Sequence, residues 1–419
     1  MIRAVTACML ATTLSLSLAA CGGGDSGPGG DGSTIRLQVS GEPEEIAVYR
    51  ALVGAYEKSH PGRRVRLDAV AKKSDHLARL TTSFAAGGPP DVFLVNYREY
   101  AQFVARRALS PVGPALTSRG VRMADYFPQP IEAFTYQGVL QCMPQNISSL
   151  VVYYNRELLS RAGVPAPKAT WTWADFARTA KTLTRAGGHG VGIEPSLVRA
   201  APFVWGAGGE VVDDTRSPTR LTLDTPQARR ALDFLLGLAP AMPGEKEVAA
   251  QDLETRFTTG KLAMLLSSRR ETPTFREVPG LDFDVAPLPT GLKPAGILHS
   301  DGYCVAAKSR RREAAAQFIA YAVGSQGQTL TALGGRTVPS LVSVARSGAF
   351  LDPTRPPKSS QVFLDGIPSI RRTPVHPRWP EVEDVVAAEL TRVFHDGAPL
   401  DQALTRIDER TRPLLAGGA

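Results

Sequence analysis

Side chains able to recognise or transform a small molecule gather at the ends of structured stretches of this sequence. Glu42 follows an alternating apolar stretch at residues 35–39, and Asn96 with Tyr97 follows the apolar run Val92-Phe93-Leu94-Val95. Ligands of open α/β sheets sit beyond the carboxyl ends of strands, which makes these three candidates for contact. Trp205 stands before Gly206-Ala207-Gly208-Gly209, where small residues let a backbone approach a ligand, and Arg269 with Arg270 follows a run ending at Leu266, placed to grip a charged substituent. This is the chemistry of recognition. Covalent chemistry has weaker support, because the carboxylate neighbours Asp213 and Asp214 sit in a turn. Glu381, Glu383 and Asp384 fall in the first turn of a predicted helix, where acids complement the dipole. Two carboxylates held about 5–10 Å apart would suit glycoside hydrolysis. No Gly-x-Ser-x-Gly elbow, phosphate-binding loop, Cys-x-x-Cys or His-Glu-x-x-His is present and the His residues are dispersed, so no catalytic residue, cofactor or metal is expected.

The beginning of the chain reads as an export signal. Arg3 supplies the positive start, residues 4–20 carry no charge, and the stretch ends Leu18-Ala19-Ala20-Cys21. Small residues before a cysteine resemble a lipobox, so Cys21 is the expected lipidation site once residues 1–20 are removed. The apolar run falls short of the ~20 residues that a membrane span requires, and no later segment is long and apolar enough. Residues 21–33 then form an expected flexible tether, too rich in Gly to bury apolar surface and reaching roughly 20 Å. A formal charge of +8 over 419 residues is modest, and the basic run Ser309-Arg310-Arg311-Arg312 suits a solvated helix start. No basic stripe interleaves with aromatics, which argues against nucleic acid. With Cys21 lipidated, Cys142 and Cys304 remain in an oxidising compartment, free to pair or to stay buried thiols.

Positioning these side chains requires alternating strands and helices. Ile35, Leu37 and Val39 alternate, residues 44–59 place Ile46, Tyr49, Leu52, Val53 and Tyr56 on one helical stripe, and Pro61-Gly62 stops it. Val65, Leu67 and Ala69 alternate again, residues 75–86 look helical, and Gly87-Gly88-Pro89-Pro90 breaks the chain before the next apolar run. This βαβαβ opening predicts a mostly parallel sheet with helices on both faces. Thr172 to Asp175 has capping-box spacing, Thr225-Pro226 opens another helix, and further helices fit residues 311–323, 381–393 and 400–415. Residues 352–357 read as a surface loop.

In order and wording these stretches resemble the family 1 extracellular solute-binding proteins, the group that includes maltose-binding protein. Pro90-Asp91-Val92-Phe93 with Ala108-Leu109-Ser110-Pro111 comes first. Tyr153-Tyr154-Asn155-Arg156-Glu157-Leu158, continued by Ala162-Gly163-Val164 and Thr170-Trp171-Thr172-Trp173, is the most specific passage. Phe257-Thr258-Thr259-Gly260-Lys261-Leu262-Ala263-Met264, Ala286-Pro287-Leu288-Pro289 and Ser325-Gln326-Gly327-Gln328 follow in turn. The resemblance implies a periplasmic-binding-protein-like α/β fold, two lobes joined by a multi-strand hinge around a ligand cleft. It places one lobe at 34–142 with 303–342 and the other at 143–302 with 343–419. It further implies a monomeric lipoprotein on the outer face of the cytoplasmic membrane, delivering a carbohydrate or related solute to the permease of an ABC importer. An exported carbohydrate-active enzyme and a ligand-sensing lipoprotein are the alternatives.

The same resemblance brings more residues to the cleft. Asn146 follows the first crossover between lobes, Asp301 and Tyr303 sit at the next, and Trp379 lies in a loop where related receptors place a stacking aromatic. Sugars present hydroxyls and apolar C–H faces, so carboxylates and amides beside rings form a suitable set. Trp171 and Trp173 belong to a helix-opening motif and are read as packing residues. Cys142 and Cys304 both fall near crossover strands by this resemblance, which favours a disulfide at the hinge.

Overall fold

The computed structural model describes residues 34–417. The expected signal sequence, Cys21 and the whole of the tether lie outside the described residues. The first strand, β1 (Thr34–Ser40), buries Ile35, Leu37 and Val39 and leads into α1 (Pro43–Ser59), whose buried stripe is Ile46, Tyr49, Leu52, Val53 and Tyr56. Next come β2 (Arg64–Val70), α2 (Lys73–Ala85) and β3 (Val92–Asn96), the last buried along its whole length. Asn96 ends β3 and caps α3 (Tyr97–Ala105), its side-chain oxygen accepting from the Arg98 amide. Short strands β4 (Leu109–Ser110) and β5 (Cys142–Pro144) precede β6 (Leu150–Asn155).

The second half opens with α4 (Trp173–Arg185), where Thr172 and Asp175 complete the predicted capping box. Helix α5 (Leu197–Gly206) is followed by α6 (Pro226–Leu236), capped by Thr225 with Pro226 in its first turn. Strands β7 (Met264–Ser268), β8 (Phe283–Ala286) and β9 (Asp301–Ala306) come next. The chain ends in α7 (Arg312–Val323), α8 (Ser325–Leu333), α9 (Trp379–Asp396) and α10 (Leu400–Ala416). Residues 352–357 carry no helix or strand, and among the described residues no helix is long and apolar enough to cross a membrane.

Two α/β lobes result. The larger sheet runs β2-β1-β3-β9-β4, with β5 also paired to β9. It is mixed, which corrects the expectation of a mostly parallel sheet. β1 is parallel to β2 and β3, but β9 is antiparallel to β3, β4 and β5. The βαβ opening accounts only for the first three strands; β9 enters the sheet from the other lobe. Cys142 and Cys304 lie opposite each other on β5 and β9 and are joined by a disulfide, Cα to Cα 4.4 Å. Gly302 on the same strand leaves room for Phe134, since a Cβ there would lie 2.7 Å from that ring.

The smaller sheet is antiparallel, in the order β8-β6-β7. Its period of two divides it between two cores. Val151 and Tyr153 join Leu265, Phe283 and Val285 in the core that holds the large sheet, whereas Leu150, Val152 and Tyr154 face Met264, Leu266 and helix α5 in the second. Burial on both faces explains why β6 reads as an unbroken apolar run. Three segments run side by side between the sheets. Asn146 bridges to Pro339 and Ser148 to His299, with backbone bonds from Ile147 N to Val338 O (2.9 Å) and Gln145 N to Asp301 O (2.8 Å).

Candidate ligand-binding cleft

The carboxyl ends of β1, β2 and β3 open into a cleft of about 710 Å³. Beyond β1 come Glu42 and Glu45, beyond β2 Lys72 and Lys73, and beyond β3 Asn96, Arg98 and Glu99. The segment entering α5 supplies Glu194 and Arg199 from the second core's side, Arg270 follows β7, and Glu383 with Asp384 faces in from α9. Its floor is the bundle of crossing segments, carrying Asn146, His299, Asp301 and Arg336.

Four of the residues expected from the sequence line this cleft together: Glu42, Asn96, Asn146 and Asp301. Three of them are linked. The Asn96 side-chain amide donates to Asp301 Oδ1 at 3.0 Å, and the Asp301 backbone N–H donates to Asn146 Oδ1 at 2.7 Å. Ser300 Oγ donates to the Asn146 carbonyl at 2.6 Å, which pins the floor strand beneath them. One Asp301 carboxylate edge is thus oriented before any ligand arrives, as hydroxyl recognition requires.

The other five lie outside the cleft wall. Tyr97 points into the core, its hydroxyl 3.0 Å from Thr373 Oγ1, and Tyr303 is fully buried with its hydroxyl raised well above the usual range by burial. Arg269 is buried between Phe350 and Phe363, 4.8 and 5.1 Å from their centroids; its Nε donates to Gly335 O at 2.7 Å, and burial pushes its pKa down to about 9. Its neighbour Arg270 is the arginine that reaches the cleft. Trp205 is buried beneath the Arg371 guanidinium, 4.9 Å from its ring, and the glycines after it end α5, with Gly208 at φ +83°. Trp379 begins α9 instead of standing in a loop, and its Nε1 donates to Glu383 Oε1 at 2.8 Å. Trp171 donates to Pro287 O and Trp173 stacks on Phe234, the packing roles read from the sequence. No Trp, Tyr or Phe among the described residues lines the cleft.

Charge replaces the missing rings. Six Lys or Arg and seven Asp or Glu side chains line the cleft, and most of the cations meet an acid. Lys73 pairs with Glu99 at 2.6 Å, Arg336 with Glu45 at 2.6 Å, Arg98 with Glu383 at 3.3 Å and Arg199 with Glu194 at 3.5 Å. Burial pushes the Glu45 carboxyl up to about 7, against the opposing pull of Arg336, and Asp301 adds to the rise. His299 goes the other way. Burial holds its imidazole well below its usual pKa, and Arg98, Arg199, Lys73 and Arg270 all push in that direction. Sequence reasoning missed Glu45, Arg98, Arg199 and His299, and it read Glu383 and Asp384 as dipole partners. The usable signal was position, since Glu45 and Arg98 lie in the first turns of helices that directly follow strands.

A model of the bacterial extracellular solute-binding protein family matches residues 40–329. The chain belongs to that family. These are binding proteins rather than enzymes, acting outside the cytoplasm. A putative binding protein of Brucella abortus (strain 2308) is 22% identical over 380 residues, 87% of this chain and 89% of its own length. The galactooligosaccharide-binding protein of Bacillus subtilis (strain 168) is 22% identical over 412 residues, 94% of each chain. Among solved structures, an ABC substrate-binding protein of Listeria monocytogenes in complex with cycloalternan superposes with a TM-score of 0.85 at 22% identity, over 92% of this chain and all of that one. At that identity the superposition establishes the shared two-lobed fold. Among the described residues no group of three or more His, Cys, Asp or Glu is arranged to hold a metal ion.

Proposed function

We propose that this chain captures a carbohydrate or similarly hydroxylated solute for a bacterial ABC importer and passes it to the membrane permease without chemical change. The observation that carries this reading is the linked Asn96–Asp301–Asn146 set on the floor of a cleft walled from both cores. Galactooligosaccharide and cycloalternan, named for two similar proteins, support a carbohydrate class. Lipidation at Cys21 would tether the chain, as a monomer, to the outer face of the cytoplasmic membrane. Closure would move 34–142 with 303–342 against 143–302 with 343–419 about the side-by-side segments. A ligand drives such closure only through contacts made when both walls reach it.

The test is a thermal melt of the purified chain against neutral sugars, sugar alcohols, acidic sugars and sugar phosphates. A true ligand at 1,000 times its dissociation constant adds about 4 kcal/mol of stability, which a melt resolves. One responding class, lost in Asn146→Leu, supports the reading. A cooperative melt that no member of the panel moves counts against a hydroxylated solute.

A further inference from the structure

Three residues that line the cleft each carry a buried nitrogen without a hydrogen-bond partner: Arg98 Nη1, Arg199 Nε and His299 Nε2. They come from three parts of the fold. Arg98 is in the first turn of α3 against the first core, Arg199 is in the first turn of α5 against the second, and His299 lies on a crossing segment between them. The Arg98 residue is 9% exposed. Its ion pair with Glu383 uses Nε, and that of Arg199 uses Nη2, toward a Glu194 side chain that is 64% exposed. Each guanidinium has five N–H donors, so one carboxylate apiece leaves capacity to spare. A buried charged donor without a partner is costly, and a ligand acceptor that reaches it recovers that cost on binding.

We propose that the ligand carries an anionic substituent, a phosphate or a carboxylate, seated between Arg98, Arg199 and His299. This rests on the solute-binding reading above and narrows the class of solute. Two of the three groups are permanently cationic, and guanidiniums bind planar or tetrahedral oxyanions through paired N–H bonds. Arg98, Arg199, Lys73 and Arg270 all lie near enough to the His299 ring to oppose its protonation. Asn96, Asn146 and Asp301 lie on the same floor and are suited to the hydroxyls of the remaining framework. The absence of an aromatic wall among the described residues fits this division, because a short charged solute needs no stacking platform for a run of sugar rings. An oxyanion touching Arg98 and Arg199 together would also bridge the two cores, so the charged group itself would favour closure.

The experiment is isothermal titration of the purified full chain with matched probes: glucose, glucose 1-phosphate and glucuronate; glycerol and glycerol 3-phosphate; and inorganic phosphate alone. A charged probe is expected to bind at least ten-fold tighter than its neutral parent. In Arg199→Met that advantage of a charged probe over its neutral parent should fall at least ten-fold. Arg98→Met should act alike, and Arg199→Met, which breaks only a pair with the largely exposed Glu194, carries the test if the Arg98 variant does not fold. Neutral probes binding as tightly as charged ones, unchanged in Arg199→Met, would overturn the anion seat and leave the hydroxylated-solute reading standing. Inorganic phosphate binding that Arg199→Met abolishes, with no gain from any sugar framework, would keep the seat and overturn the sugar. Silence from both series in a folded chain would overturn both.

Discussion

Helix α9 carries two carboxylates in opposite circumstances. Glu389, toward its C-terminal half, is 1% exposed and receives Arg392 at 3.3 Å, Arg406 at 2.7 Å and Arg410 at 3.1 Å, two of them from α10. Glu383, nearer its start, faces the cleft, where it accepts from Trp379 Nε1 and meets a single guanidinium whose Nη1 is left over. Burial by itself would raise the Glu389 carboxyl, but the hydrogen bond from Arg406 and the charges of Arg392 and Arg406 hold it below the usual range. The difference separates charge used to hold two helices together from charge held ready for a ligand. In the first the acid is surrounded by donors; in the second the donors exceed what the protein itself engages.

The largest effect should come from breaking the clasp. Glu389→Ala leaves three arginines facing one another around a vacated site. Losing one partner of a fully buried pair costs about 3–5 kcal/mol. The Arg392, Arg406 and Arg410 side chains are 54%, 32% and 52% exposed and can rehydrate, so about 2–3 kcal/mol is expected here. Urea unfolding should show a lower midpoint with an unchanged slope, and ligand affinity should stay within two-fold. A ten-fold loss of affinity would show that the clasp and the cleft act as one unit.

How legible the two regions were in the sequence follows from the same contrast. The helices of the second core, the clasp pair among them, were readable because apolar periodicity and caps act locally; Thr172 with Asp175 and Thr225 with Pro226 formed as their spacing predicts. Glu42, Asn96, Asn146 and Asp301 reach the cleft because strand ends and crossovers are topological features that a βαβ pattern and a family resemblance expose. The rings are another matter. Trp205 and Trp379 were expected at the ligand because aromatic surface suits sugars, yet a large apolar ring gains most by full burial, and both take core positions. Arg269 and Arg270 are sequence neighbours with opposite fates, decided by Phe350 and Phe363 arriving from far along the chain. No local pattern carries that information.

A second prediction sharpens the cleft side through pH. Glu45 has a folded pKa of about 7 against an ordinary 4.5, so the folded chain binds a proton there that the unfolded chain has released. Stability from this group is present below about pH 4.5 and is lost as pH rises through 7, each pH unit crossed between those values removing about 1.4 kcal/mol. Allowing for the 14% of the side chain that stays exposed, about 2 kcal/mol should be lost across that window. His299, held neutral, contributes with the opposite sign, so the clean measurement is the difference between the natural chain and Glu45→Gln. The variant should lose the downward slope between pH 5 and 7. Parallel curves would mean that Arg336 holds Glu45 ionised, as Glu389 is held by its arginines.

The smallest effect concerns Trp205, where the sequence expectation and the observed packing lead to different outcomes. Trp205→Phe keeps a buried ring but weakens the contact with Arg371, whose guanidinium lies 4.9 Å from the indole and is fixed by Glu210 at 2.6 Å. Arg371 is partly exposed, so the contact is worth about 0.5–1 kcal/mol, and a fall in melting temperature of a few degrees at most follows. Affinity should not change, because Trp205 is 2% exposed and no atom of it forms the cleft wall. A ten-fold loss of affinity with little change in melting would place the ring against the ligand after all. It would require the Arg371 cover to lift on closure, which would turn this edge of the second core from static packing into part of the binding surface.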